Sequence, residues 1–308
     1  MSNPIVNILR KSDNPVVSSV YNFARQSFYG EWDRNGDWKF VSLSDYAGMV
    51  SEWIRELPKD FDIVCAIPRS GLIAGSMIAT TLGKPLTTPD LLLAGTVWEA
   101  HNQIANPVIK TVLLVDDSIG TGASMVDCSK RIQANYPDIK IIWAALFVRN
   151  ESRDKIDCCH IRHSDNMRLS FEFNLSRLAT SYGRIAMDMD GVICRDYVDP
   201  LPDERYVGWI TEVDPYLIPK GCVDAIITNR SECHRKITED WLREHEVEYK
   251  SLIMNDGGSN ALQFKTDTLM KLKPAWFWES DPLLSEAIYK ATRIPVLCTN
   301  TGRFFGGV

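Results

Sequence analysis

The chain has 308 residues, of which 45% are hydrophobic, 24% charged and 10% aromatic, a balance typical of globular proteins and outside the disordered and fibrous classes. Lys and Arg number 34 against 40 Asp and Glu, a net charge of −6, so the basic excess that binding to long nucleic acid requires is missing. No apolar run is long enough for a membrane helix, and the N-terminus has no apolar stretch after a basic one, so a cytoplasmic protein without a membrane partner is expected.

At roughly 100–200 residues per domain the length predicts two domains. Residues 1–45 carry Trp32, Trp38 and Phe40 around an Asn35-Gly36 pair, which signals a hairpin. Asp33, Asn35 and Asp37 imitate the opening of a calcium loop, but Trp38 stands where the glycine is required and Ser44 where the closing Glu belongs. A helix is expected over 45–57, with Ser42 and Ser44 as candidate caps. Apolar runs at 61–67, 112–115 and 139–148 then alternate with helical periodicity at 72–82 and 123–135, the rhythm of βαβ units. An irregular polar stretch at 175–183 interrupts it. The rhythm restarts at 185–187 and continues with a run at 223–227, a helix over 232–245, and runs at 275–278 and 294–298. The reading is α/β throughout, with two doubly wound, mainly parallel-sheet domains at 1–180 and 181–308. The 8 cysteines are sparse and form no CxxC pair, so reduced thiols are expected. Cys158-Cys159-His160 with His163 is the one metal-like cluster, but adjacent cysteines point apart and no second pair follows at zinc-finger spacing.

The most informative run of the first half is Val112-Leu113-Leu114-Val115-Asp116-Asp117-Ser118-Ile119-Gly120-Thr121-Gly122-Ala123-Ser124. An apolar strand delivers two acids to its carboxyl end, and a Ser/Thr/Gly turn leads into a helix, whose first N–H groups make a phosphate cradle. The two carboxylates suit sugar hydroxyls or a Mg²⁺-bound pyrophosphate. This run resembles the phosphoribosyl pyrophosphate (PRPP) signature of type I phosphoribosyltransferases, and Ala66-Ile67-Pro68-Arg69-Ser70-Gly71-Leu72 resembles the pyrophosphate loop of the same family. The resemblance covers residues 40–150, with the aromatic N-terminal segment as a base-binding hood. It implies that Asp116 and Asp117 bind the ribose, that Ser118, Ile119, Gly120, Thr121, Gly122 and Ser124 bind the 5-phosphate, and that Arg69, Ser70 and Gly71 bind pyrophosphate. Two departures stand out. Family members acting on hypoxanthine or guanine carry an acid where this chain has Gly120. The segment expected to form the lid, 91–110, has only Glu99, His101 and Lys110 as ionisable residues.

The second half opens with Ile185-Ala186-Met187-Asp188-Met189-Asp190-Gly191-Val192, an apolar strand presenting two acids at i and i+2 before a glycine turn. Paired acids of this kind divide nucleophilic or metal-binding work from proton transfer. An Asp-capped turn would give the same tetrad alone, but three further segments follow in order: Ile226-Ile227-Thr228-Asn229-Arg230, Lys265, and Trp276-Phe277-Trp278-Glu279-Ser280-Asp281. Together they resemble the four motifs of the haloacid dehalogenase (HAD) superfamily, which implies a Rossmann-like fold. By that resemblance Asp188 is the nucleophile and Asp190 the acid/base, while Thr228 and Lys265 hold the phosphoryl oxygens. Mg²⁺ falls to Asp188 and Asp190 with Glu279, or with Asp281 as second choice. The short interval from Gly191 to Ile227 leaves room only for a small cap. Arg230 is either a phosphate ligand or an ordinary salt-bridge partner, and Trp276 and Trp278 read as sheet packing.

The two resemblances imply a Mg²⁺-dependent bifunctional enzyme. The first domain would transfer phosphoribosyl from PRPP to a nitrogenous base, and the second would hydrolyse a phosphate monoester, the product of the first step being one candidate. The alternative is a HAD phosphatase regulated by a non-catalytic PRPP-sensing domain. The expected partners are small molecules, and phosphoribosyltransferases of this kind are often homodimers.

Overall fold

The computed structural model describes residues 38–105, 108–164, 167–177, 184–197 and 203–306. Trp32, the Asn35-Gly36 turn and the Asp33, Asn35, Asp37 series lie outside them, as does 178–183, beside the expected domain boundary. The described residues form mixed α/β structure with mainly parallel sheets, in two compact units: Ser44–Arg168, and Phe40–Leu43 with the chain from Leu169 onward.

Strand β1 (Trp38–Val41) leads into helix α1 (Leu43–Glu56), which starts slightly earlier than expected, so Ser44 lies inside its first turn. The first unit continues with β2 (Ile63–Ala66), α2 (Gly71–Leu82), β3 (Leu86–Thr87), α3 (Pro89–Leu93), β4 (Thr96–Glu99), β5 (Asn102–Ala105), β6 (Thr111–Ile119), α4 (Ala123–Asn135), β7 (Lys140–Arg149) and β8 (Cys158–His163). Its sheet runs β5-β4-β3-β2-β6-β7-β8, parallel from β3 to β8, with β4 and β5 added antiparallel. Every residue of β2 and of Val112–Val115 is buried, as parallel strands covered on both faces require. Ile63, Cys65 and Leu114 meet Met125, Cys128 and Ile132 of α4 in one core.

The second unit contains β9 (Arg168–Phe171), which pairs with β1, then β10 (Ile185–Met187), α5 (Asp203–Glu212), β11 (Val223–Ser231), α6 (Arg235–Glu244), β12 (Tyr249–Asn255), α7 (Ala261–Leu272), β13 (Trp276–Glu279), α8 (Pro282–Thr292), β14 (Val296–Cys298) and β15 (Arg303–Phe305). The sheet order is β12-β11-β10-β13-β14-β15, all parallel except β15. The core gathers Ala186, Ala225, Ile227, Leu269, Phe277, Ile288 and Val296. Trp276 and Trp278 are buried, and Trp276 packs against Phe40 (6.2 Å between centroids) and Phe304 (4.8 Å). Among the described residues no helix is long and apolar enough to cross a membrane.

Candidate active sites

In the first unit β2 and β6 pair in parallel up to Ala66↔Val115, and the Ile67 N–H still donates to the Val115 carbonyl at 2.9 Å. The chain after β2 therefore leaves the sheet beside Asp116 and Asp117, and the two loops meet directly: Ser70 Oγ donates to Asp117 Oδ1 at 2.9 Å. The Asp117 N–H donates to Asp116 Oδ1, also at 2.9 Å. Gly71 makes the approach feasible, since a Cβ there would lie 2.9 Å from the Val115 carbonyl oxygen and 3.1 Å from Asp116 Cα and Oδ1. Arg69 is exposed at the same loop, and the Pro68–Arg69 peptide bond is cis.

Burial, reinforced by the neighbouring Asp117 carboxyl, pushes Asp116 up to about 8. The buried phenol of Tyr46, on α1, is pushed well above its ordinary range by burial and then by Asp117 and Asp116. Tyr46 is a site neighbour that no motif in the sequence marks.

The turn after the acids differs from the sequence picture in one respect. β6 extends through Ser118 and Ile119, which continue the ladder with Phe147 and Val148, and the Ile119 side chain is part of the core. The loop proper is thus Gly120 to Gly122. Gly122 caps α4 with φ +79, and Thr121 Oγ1 accepts a long 3.4 Å bond from the Ala123 N–H. Thr121 and Ser124 are exposed at this helix N-terminus. The Gly120 carbonyl accepts from Ser152 Oγ at 2.6 Å, and a Cβ at Gly120 would face the Arg149 guanidinium at 3.9 Å.

Among the described residues the expected lid contains part of α3 and the β4–β5 hairpin, whose pairing runs from Thr96↔Ala105 to Glu99↔Asn102. The metal-like cluster sits on β8. His160 there is buried, with its Nδ1 3.3 Å from Glu56 of α1.

In the second unit β10 lies between β11 and β13, so the loop after β10, the end of β11 and the end of β13 converge. Lys265, buried on α7, joins two of the acids: Nζ donates to Asp188 Oδ2 and to Glu279 Oε2, each at 2.6 Å. Burial pushes Asp188 up to about 8, with Glu279 and Asp190 adding to the rise and Lys265 opposing it. Burial alone would lower Lys265, but the two carboxylates reverse this and hold the ammonium above its ordinary value.

Glu279 Oε1 accepts the Ser280 N–H at 2.9 Å and the Asp281 N–H at 3.2 Å, which orients the carboxylate. Of the two fourth-motif acids only Glu279 reaches Lys265. Asp281 caps α8, its Oδ1 accepting from Leu283 and Leu284 N–H at 2.7 and 2.9 Å. Thr228 is fully buried at the end of β11, and its hydroxyl accepts the Arg230 N–H at 3.2 Å. Arg230 itself is buried and forks onto Asp190, with Nη2 2.6 Å from Oδ1.

Three neighbours of this site have no role in the sequence reading. Ser280 donates through Oγ to the Asp190 carbonyl at 3.2 Å, and a Cβ at Gly191, where φ is +75, would lie 2.4 Å from that Oγ. Cys194 approaches Asp190 Oδ1 at 3.3 Å. Asp196 is pushed up by burial and, beyond a backbone bond that opposes it, by Asp190 and Glu279. Ser280 could have been found from its place beside the strand-ending acid. Cys194 and Asp196 enter only because the chain turns sharply after Gly191, which spacing does not encode. Among the described residues no group of three or more His, Cys, Asp or Glu is arranged to hold a metal ion.

The chain matches no protein-family model and no curated protein. Among solved structures it is similar to a purine phosphoribosyltransferase from Pyrococcus horikoshii Ot3, with 14% identity and TM-score 0.33 over 44% of this chain and 93% of that one. It is also similar to the xanthine-guanine-hypoxanthine phosphoribosyltransferase of Helicobacter pylori, with 15% identity and TM-score 0.34 over 46% and 95% of the two chains. A third similar structure is the orotate phosphoribosyltransferase from Aeropyrum pernix, with 18% identity and TM-score 0.26 over 42% and 68%.

Proposed function

We propose that the chain is a bifunctional enzyme: a PRPP-dependent phosphoribosyltransferase domain over 1–180, followed by a HAD-type phosphatase domain over 181–308. One kind of observation, made in each unit, carries the reading. Motifs distant in sequence are joined by direct hydrogen bonds at the carboxyl ends of parallel strands, Ser70 to Asp117 in one and Lys265 to Asp188 and Glu279 in the other. Helix N-termini and strand ends are where α/β sheets bind phosphorylated ligands.

In the first domain Asp116 and Asp117 hold the ribose hydroxyls. The backbone from Gly120 to Gly122, with Thr121 and Ser124, holds the 5-phosphate, and the Arg69–Gly71 loop holds pyrophosphate. A nitrogen nucleophile forms its bond to C1 as the bond from C1 to the pyrophosphate oxygen breaks, the electron pair leaves with pyrophosphate, and any proton on that nitrogen passes to the departing pyrophosphate or to water.

In the second domain an Asp188 oxygen attacks phosphorus while the bond to the leaving oxygen breaks, and Asp190 supplies that oxygen's proton. Water then attacks the aspartyl-phosphate, its proton passing to Asp190 and the electron pair returning to Asp188. Thr228 and Lys265 hold the phosphoryl oxygens. Asp188 and Glu279 suit a hard divalent cation, being buried oxygen donors; burial raises Asp188, and Glu279 and Asp190 add to the rise against Lys265. A bound Mg²⁺ supplies neutralisation of the transferring phosphoryl group. Asp281, engaged as a helix cap, is the weaker candidate to hold it.

A second reading keeps the phosphatase and makes the first domain a PRPP sensor. It is favoured by Gly120, where among the described residues the atoms within 4 Å of a Cβ are those of the Arg149 guanidinium and none is a carboxylate. Isotopically labelled PRPP, Mg²⁺ and a small-molecule cell extract, followed by mass spectrometry, separate the two. The bifunctional reading expects a labelled nucleoside from wild type, the corresponding monophosphate from Asp188→Asn, and neither from Asp117→Asn. PRPP that binds and changes the phosphatase rate without being consumed would replace it with the sensor.

A further inference from the structure

We propose that Arg230 is a positioning residue for Asp190, fixing the carboxylate so that its Oδ2 carries the proton in phosphate-ester hydrolysis; the inference rests on the phosphatase reading above. Arg230 follows Thr228 on β11, yet its guanidinium does not turn toward the Asp188–Lys265 pair. Its Nε lies 3.1 Å from both Asp190 oxygens, and Nη2 lies 2.6 Å from Oδ1. The remaining donors are directed elsewhere, with Nη2 3.4 Å from Cys194 Sγ and Nη1 donating to Thr238 Oγ1 at 3.4 Å. The ring of Trp209 on α5 lies against the guanidinium at 5.6 Å and is itself packed by Tyr197 (5.1 Å) and Tyr206 (5.9 Å). An arginine held on this many sides is an anchor and not a ligand waiting for a substrate phosphate.

The contacts distinguish the two Asp190 oxygens. Oδ1 receives Nε, Nη2 and the Cys194 thiol, the last at 3.3 Å, whereas Oδ2 receives only its share of Nε. A carboxylate oxygen offers about two acceptor directions, so Oδ1 is saturated and Oδ2 retains one. The Asp190 side chain is 17% exposed while that of Arg230 is fully buried, which puts the carboxylate at the boundary of the site and its anchor behind it. The proton released to the leaving oxygen, and the proton taken from the attacking water, then share one atom held in one orientation. Proton transfer by a positioned group typically contributes 10²–10⁴-fold, and most of that depends on the position.

The test uses the full chain and two esters, an alkyl phosphate, whose leaving oxygen needs a proton, and 4-nitrophenyl phosphate, whose leaving group does not. For Arg230→Gln we expect the first-turnover rate of alcohol release from the alkyl ester to fall about 100-fold and the burst rate of 4-nitrophenol release by less than about 5-fold, the same pattern as Asp190→Asn, while steady-state turnover of both esters falls because the water step also uses Asp190. The Asp190→Asn/Arg230→Gln double variant should be no slower than Asp190→Asn alone, because residues acting as one unit do not add. Guanidinium ion added to Arg230→Gln should restore part of the alkyl-ester rate. Should Arg230→Gln fail to fold, Arg230→Lys, which reaches only one oxygen, carries the same comparison with a smaller loss. Equal first-turnover losses on both esters, or single-variant losses that multiply in the double variant, would overturn the positioning role alone. A wild type that hydrolyses no phosphate ester would overturn the phosphatase reading and this inference with it.

Discussion

The charged residues at the two sites are held against their solvation preference, and that makes their roles measurable as stability. Asp116 sits at about 8, above the ordinary carboxylate value of 3.8, because of burial. A raised folded value means the folded chain keeps a proton that the unfolded chain has lost. The penalty is therefore absent below the ordinary value, grows as pH rises, and is complete above about 8. Asp116→Asn keeps an acceptor for the Asp117 N–H and removes the charge. It should melt higher than wild type by several degrees at pH 8.5, by about 2–4 °C for each kcal/mol gained, and show almost no difference near pH 4. The same substitution should weaken PRPP binding, read by calorimetric titration. A melting difference that does not grow with pH would remove burial as the source of the shift. Lys265 is the opposite case. Lys265→Met leaves Asp188 and Glu279 buried without their shared cation, and breaking a buried ion pair costs about 3–5 kcal/mol. Urea unfolding should show that loss, and Lys265→Met/Glu279→Gln should recover part of it.

Both sites fall where strand order reverses. In the first unit β3 lies on one side of β2 and β6 on the other, and Ser70 meets Asp117 in the gap between β2 and β6. In the second β11 and β13 flank β10, and Lys265 spans from Asp188 to Glu279 at the ends of β10 and β13. Neighbouring loops at such points part to opposite faces of the sheet and leave a crevice at the carboxyl ends of the strands. The depth of the first crevice is set by Gly71. Gly71→Val should push α2 off the Val115 carbonyl, with a stability loss of about 1–3 kcal/mol. PRPP affinity should fall more than tenfold while phosphate-ester hydrolysis keeps its rate. Unchanged PRPP binding would mean that the two loops do not form one site.

Much of this was legible before the structure: Ile185–Met187 and Ala123–Asn135 were both expected at those bounds, because β10 is bracketed by polar residues and α4 by Gly122 and a proline-containing turn. The β4–β5 hairpin was not, since its turn uses Ala100 at φ +49 instead of an Asn-Gly pair. β12 was missed because Tyr249–Asn255 follows α6 with no Gly or Pro to announce a strand. The motif residues were legible as a set, but the partner of Arg230 was not. A buried fork onto Asp190 depends on how sharply the chain turns at Gly191 and Cys194, and one-dimensional spacing leaves that open.

At the scale of the molecule, two hydrophobic clusters among the described residues lie one in each unit and share no residue. One is built on Ile63, Leu114, Met125 and Ile132, the other on Ala186, Ile227, Leu269, Phe277 and Val296. Each core belongs to a unit of ordinary domain size, and units of that size generally unfold as separate cooperative blocks. Calorimetry on the full chain should therefore resolve two transitions. Asp116→Asn should raise one of them at pH 8.5 and leave the other in place, while Lys265→Met should lower only the second. The pairing also assigns each transition to a chemistry without fragmenting the protein. PRPP should raise the transition that Asp116→Asn moves, since a ligand that binds only the folded form stabilises it by mass action. Vanadate or beryllium fluoride with Mg²⁺, as phosphate mimics, should raise the one that Lys265→Met moves. A single transition shifted equally by both substitutions would mean that the two cores melt as one block, and PRPP binding would then be energetically tied to the phosphatase core, as the sensor reading requires.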